Sequence, residues 1–251
     1  MTTPANDILR KCSSEKQAGQ PIHRSLMGST TAALVALRET LAESEEPILR
    51  ALKFRITLPF NGRLYSSLPV IGLSRFDISL YLRELNRALS GSYKHGERPL
   101  STLWLPNTNI PTLDVTGDIR QGYVRVLQLL CPPGDDPKSY ANARCGDLDA
   151  LWFLSKRIHD AGISVGERKL SDADQDILAR YKAEAQQGAV DSLMGLLKDE
   201  EQERNVILRI RWKAAAIKLD PDIAERLFRE LVFPTTLKLE AMVIISACRS
   251  L

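Results

Sequence analysis

From Ser29 the apolar positions recur at intervals of three and four: Leu34, Leu37 and Leu41, with Arg38 and Glu39 between them. That spacing predicts a helix, closed by the acidic run Glu43 to Glu46 and by Pro47. The period then changes to two. Leu52, Phe54, Ile56 and Leu58 alternate with Lys53, Arg55 and Thr57, which predicts a half-buried strand with a basic outer face, ended by Pro59. Asn61-Gly62 is a turn dipeptide, and Arg63 to Ser67 is expected to pair back as a hairpin. A second helix is expected from the start Ser74-Arg75-Phe76-Asp77, with Ile78, Leu82, Leu85 and Leu89 on one face and Gly91 at its end. Short strands are expected at 102–105, 112–116 and 123–130, punctuated by Pro106, Pro111 and Gly117.

Cys131-Pro132-Pro133-Gly134-Asp135-Asp136-Pro137 is a strong breaker. Beyond it the pattern is helical throughout, with candidates at 147–160, 171–187, 190–198, 201–219, 220–232 and 237–250. Asp220 followed by Pro221 reads as an N-cap with proline at the first helical position. Strands followed by helices predict an α+β fold, with a small antiparallel sheet and helices in the N-terminal half and an all-α C-terminal half. The expected organisation is a polar lead-in arm over 1–28, an α+β domain over 29–131 and a helical domain over 132–251.

Composition is globular. Apolar residues make up 44% of the 251 and charged residues 26%, which excludes wholesale disorder and a disulfide-stapled miniprotein. Cys12, Cys131, Cys145 and Cys248 form no CxxC pair, so reduced thiols are expected. The N-terminus lacks the basic start and apolar run of a signal peptide. The longest apolar stretch, Ala241 to Cys248, is shorter than the ~20 residues of a membrane-spanning helix. These features predict an intracellular protein, in cytoplasm or nucleus, with no transmembrane segment.

The net charge of +3 hides an asymmetry. Residues 50–98 carry nine basic and three acidic residues, a local net of +6. Lys53 and Arg55 share the outer face of the predicted strand, Arg63 lies in the hairpin, and Arg83 and Arg87 are four apart on a helix. In the helix after Glu203, Arg204, Arg211 and Lys218 are seven apart and form a second stripe. These eight residues are the candidate anion- or nucleic-acid-binding site, since such stripes suit phosphate backbones or anionic lipid headgroups.

Catalytic motifs are absent. His23, His95 and His159 stand outside any metalloprotease or nucleophile-elbow pattern. Asp172, Asp174 and Asp176 imitate a calcium loop, but Ile177 stands where glycine is needed and Ala183 where glutamate is needed. No nucleotide-binding loop, cofactor motif or metal-ligand spacing occurs.

The segment from Pro47-Ile48-Leu49 to Arg87-Ala88-Leu89-Ser90-Gly91, with its basic residues, together with the size, charge and polar arm, resembles matrix and nucleocapsid-type proteins of negative-strand RNA viruses. The resemblance implies self-association, contact with RNA or an acidic membrane surface, and association with the virion. The expected function is therefore a non-enzymatic assembly protein that forms homo-oligomers. Two alternatives are an RNA- or DNA-binding subunit of a cellular complex and a hydrolase of a phosphate-bearing substrate, with His95 and Asp114 or Asp118 in a cleft.

Overall fold

The computed structural model describes residues 36–66, 113 and 115–249. The chain is helical at 36–43 and then forms α1 (Glu45–Arg55), α2 (Thr116–Leu130), α3 (Tyr140–Asp172), α4 (Gln175–Gln187), α5 (Val190–Leu197), α6 (Glu200–Ala216), α7 (Pro221–Leu227) and α8 (Phe233–Arg249). Among the described residues there is no strand. The α+β expectation is therefore corrected to an all-α architecture.

The strand expected at 52–58 begins inside α1. Its alternation is a coincidence of a longer helical pattern, in which Ile48, Leu49, Leu52 and Arg55 are buried while Phe54 is 48% exposed. The strand expected at 123–130 is the second half of α2, where Ile119, Tyr123, Val126 and Leu127 recur at helical spacing and are buried. At the expected hairpin, Gly62–Leu64 is a single 3-10 turn. The strand at 102–105 and the helix opened by Ser74 lie outside the described residues.

Helix starts follow their caps. The side chains of Asp174, Asp199 and Asp220 accept hydrogen bonds from the backbone N–H groups of Ile177, Gln202 and Asp222 at 2.8 to 2.9 Å, opening α4, α6 and α7. Gly188 ends α4 at a φ of +66°, a left-handed conformation that favours glycine.

One cluster of buried side chains takes Leu49 and Leu52 from α1, Tyr123 and Leu127 from α2, Leu151 and Leu154 from α3, Ile210 from α6 and Leu227 from α7. It draws on residues from both sides of the proline-rich breaker. A second cluster joins Tyr181 of α4, Leu193 and Leu197 of α5, and Ala241, Ile244 and Ile245 of α8. The unbroken helical run from Pro221 to Arg249 is long and apolar enough to cross a bilayer, yet 56% of its most apolar window is buried inside the protein, as in a core helix.

Between α7 and α8 the backbone widens into a π turn, Phe228–Val232, where the N–H of Phe233 donates to the carbonyl of Phe228. Pro234 explains it. Proline has no N–H to give, and its ring would clash with the carbonyl four residues back; the wider turn relieves both problems.

α3 and α8 approach closely where glycines line α3. A Cβ at Gly166 would lie 3.2 Å from both the Cα and the backbone oxygen of Glu240 and 3.1 Å from the Cβ of Val243. Backbone cannot step aside as a side chain can. Gly166→Ala is expected to push α8 outward and to cost about 1–3 kcal/mol in denaturant titration. A variant as stable as the parent would show that the two helices have slack.

Deep in the larger cluster sits an ionic network. The Arg55 Nε donates to Asp147 Oδ1 at 2.6 Å, and both side chains are fully buried. Asp147 also accepts from the Tyr65 and Tyr123 hydroxyls at 2.7 and 3.1 Å. The remaining Arg55 donors reach the carbonyls of Pro59 and Phe60. Burial alone would lower the Arg55 pKa, but Asp147 and Tyr65 outweigh it and hold the guanidinium cationic.

Candidate active site

α3, α4, α6 and α8 enclose a cavity of about 380 Å³, with Leu37, Arg38 and Leu41 of the 36–43 segment against it. Its polar wall is built by helix spacing. Arg157, Ala161, Val165 and Lys169 follow one another along α3, Gln202, Glu203 and Val206 along α6, and Phe233, Thr236, Leu237 and Glu240 along α8. Each set recurs at three and four, so each helix turns one face to the cavity.

Arg157 is 6% exposed. Its Nε has no hydrogen-bond partner, and the same holds for the Thr236 hydroxyl. A buried guanidinium without a carboxylate is costly. Burial pulls its pKa below the ordinary value, while Glu45, the strongest nearby charge, pulls it back up and Arg209 opposes that. Glu45 is itself fully buried and bound by Arg209 and by Lys213 Nζ, the latter at 2.9 Å.

Glu240 is 6% exposed. Its Oε2 accepts from Lys169 Nζ at 2.7 Å, and the same ammonium donates to the carbonyl of Leu197 at 2.6 Å. Burial pushes the Glu240 carboxyl above the usual carboxylate range; Lys169 and Arg157 counter it and Glu203 adds to it. The ammonium has a third donor left for a ligand. The cavity thus offers an unspent guanidinium, an unspent hydroxyl, a spare ammonium proton and a carboxyl whose pKa burial raises. That set has the chemistry to hold and polarise an anionic organic molecule. Among the described residues no cluster of histidine, cysteine and carboxylate side chains could hold a metal ion.

Of the eight residues named from charge spacing, the six that are described do not line this cavity. Lys53 Nζ donates to the carbonyl of Ile217 at 2.6 Å. Arg55 is fully buried against Asp147 and is open to no partner. Arg63 lies 3.5 Å from Asp135, with its side chain 80% exposed. Arg83 and Arg87 fall outside the described residues. Arg204 is exposed on α6, Arg211 is bound to Asp222 and Glu225 at 2.6 Å each, and Lys218 is exposed just after α6. His95 and Asp114 also lie outside the described residues, and Asp118 pairs with Lys238. Asp172 of the apparent calcium loop pairs with Arg168, and Asp174 is a helix cap.

The charge count passed over Arg157, Lys169, Thr236, Gln202, Glu203 and Glu240. One signal was present. Glu240 stands in Leu237-Lys238-Leu239-Glu240-Ala241-Met242-Val243-Ile244-Ile245, the most apolar part of the chain, where a carboxylate is out of place unless it is paired or functional.

The described residues form an all-α fold around a cavity lined by Arg157, Lys169, Thr236 and Glu240. Comparisons with known proteins found relatives of similar length. No family model matches the chain. It is 27% identical to the cytosolic chorismate mutase 2 of Zea mays, over 85% of this chain and 95% of that protein. It is 28% identical to chorismate mutase 2 of Petunia hybrida, over 80% of this chain and 87% of that one. Its fold superimposes on the chorismate mutase of Candida albicans solved in complex with L-Trp, with a TM-score of 0.68 and 21% identity, covering 84% of this chain and 90% of that one.

These relatives overturn the resemblance to viral matrix and nucleocapsid proteins, and with it the reading as a structural viral assembly protein. The nucleic-acid-binding and phosphate-hydrolase alternatives do not fit them either. The cytosolic Zea mays relative is compatible with an intracellular location, and association with a virion has no support.

Proposed function

We propose that the chain is an enzyme of the chorismate mutase type and that the α3–α6–α8 cavity is its active site. The observation that carries the reading is Arg157, a buried cation with an unpartnered Nε, facing the same cavity as the unpartnered Thr236 hydroxyl. Groups left unspent in the free protein are spent on a ligand.

Chorismate carries two carboxylates and an ether-linked side chain, and a mutase converts it into an isomer. All atoms stay in one molecule, so no nucleophile or acceptor is consumed. The protein must hold the substrate in a reactive shape and stabilise the charge that develops as the ether bond breaks. Arg157 and Thr236 take one carboxylate in this reading. Arg38, exposed beside the cavity, takes the other. The third Lys169 proton and a protonated Glu240 Oε1 donate to the ether oxygen, and Glu203 or Gln202 receives the substrate hydroxyl.

The test is conversion of chorismate to an isomer, followed by liquid chromatography across the pH range. Because the Glu240 pKa is raised, its neutral, donating form persists to higher pH than for an exposed glutamate. Turnover is expected to fall as pH rises through that value. Glu240→Gln keeps a donor at every pH, so its profile is expected to be flat there. Superimposable profiles for the two proteins would remove Glu240 from the reaction. No isomer formed at any pH would remove the reading itself.

A further inference from the structure

The cavity is longer than its ionic centre. Along α3 its lining runs from Arg157 to Asp172, fifteen residues or about 22 Å of helix. Glu240 stands opposite Gly166 and Lys169. Past that pair the wall becomes more apolar: it holds Ala173, Ile177, Tyr181 and Leu197, with Asp172, paired to Arg168, and Asp199 also lining it. Ile177 is 39% exposed although it is a large apolar side chain. Tyr181 is 7% exposed and packs with Leu197, Ala241 and Ile244, so it sits about one turn of α8 beyond Glu240. The Tyr181 hydroxyl has no hydrogen-bond partner among the described residues. Burial raises the pKa of the phenol, so it stays protonated and a donor.

We propose that this end of the cavity is a second subsite for an aromatic ring, so that the protein binds aryl carboxylates with the carboxylate at Arg157 and Lys169 and the ring between Ile177, Leu197 and Tyr181. The proposal rests on the reading of the cavity as a substrate site. A ring suits the place better than an alkyl chain for two reasons. It offers a π-face to the Tyr181 ring at an offset or edge-on contact. A polar atom on its far edge can accept from the phenol hydroxyl, which an alkyl chain cannot do.

The experiment is calorimetric titration of the full chain with propionate, phenylpropionate and para-hydroxyphenylpropionate. Phenylpropionate is expected to bind about tenfold or more tightly than propionate, from burial of the ring. The para-hydroxyl is expected to add about threefold to tenfold. Ile177→Glu, at an exposed position, should remove the gain from the ring. Tyr181→Phe, which keeps the packing, should remove only the gain from the hydroxyl. Equal affinity for propionate and phenylpropionate would overturn the proposal, as would a ring preference untouched by Ile177→Glu. Chorismate turnover is measured on the same preparation. Turnover without ring preference defeats the second subsite alone; ring preference without turnover defeats the mutase reading alone.

Discussion

Arg157→Met is expected to lower chorismate turnover by about a hundredfold to a thousandfold while leaving the melting temperature unchanged or higher. The two effects together identify the role of the side chain. A charge that organises a transition state is worth roughly 3–4 kcal/mol in rate. A charge buried without a partner is a liability to the folded state, and an apolar side chain of similar length removes that liability. Arg157 has the burial and the orphaned Nε of the second case. Were it a structural cation, held by Glu45 and Glu240 for stability, the replacement would unfold the protein first and the loss of rate would follow from that. A melting temperature several degrees lower, with turnover intact in the folded fraction, would refute the assignment.

Asp147→Ala is expected to do the opposite. It should destabilise the protein by about 3–5 kcal/mol, because Arg55 is left charged and buried with its carboxylate gone. In a chain of this size that is a fall of roughly 10 °C in melting temperature. Two tyrosine hydroxyls lose their acceptor in the same step. Asp147→Asn keeps an acceptor for those hydroxyls but not the charge, so it should fall between the parent and the alanine variant. Denaturant titration of the three proteins gives the order. A loss below about 1 kcal/mol for the alanine variant would mean that water enters and solvates Arg55.

The contrast between these two arginines explains what the sequence made legible. Several helices after residue 170 were legible through caps and spacing, and the expectation at 190–198 fell on Val190–Leu197 almost residue for residue, whereas the helix expected at 147–160 is only the middle of Tyr140–Asp172. The N-terminal reading failed where a helix packs on several sides. Leu52, Phe54, Ile56 and Leu58 alternate along the sequence, but Leu52 is core and Phe54 is largely exposed, so the alternation carried no burial information. The charge stripes failed for a related reason. Arg55 and Arg211 count as free positive charge in a sequence, and in the fold each is spent on carboxylates, 92 residues away for Arg55 and within 14 for Arg211. The residues proposed for the site are the reverse case. Arg157 and Lys169 lie in a helix of 33 residues with no local motif, and only the packing of α6 and α8 against it brings Glu203, Thr236 and Glu240 into the same space.

The π turn at Phe228–Val232 holds one residue more than a regular helix would. It acts as a phase setter for everything that follows. Deleting any one of its residues would set Pro234 against the carbonyl four residues back and turn α8 by about 100° while drawing it back about 1.5 Å. Thr236 and Glu240 would leave the cavity, and by the same rotation Leu239 and Ile244 would leave the hydrophobic core. Because the cavity face and the packing face are locked to a single register, insertions and deletions in this turn forfeit both at once. Change in this part of the site is confined to substitutions.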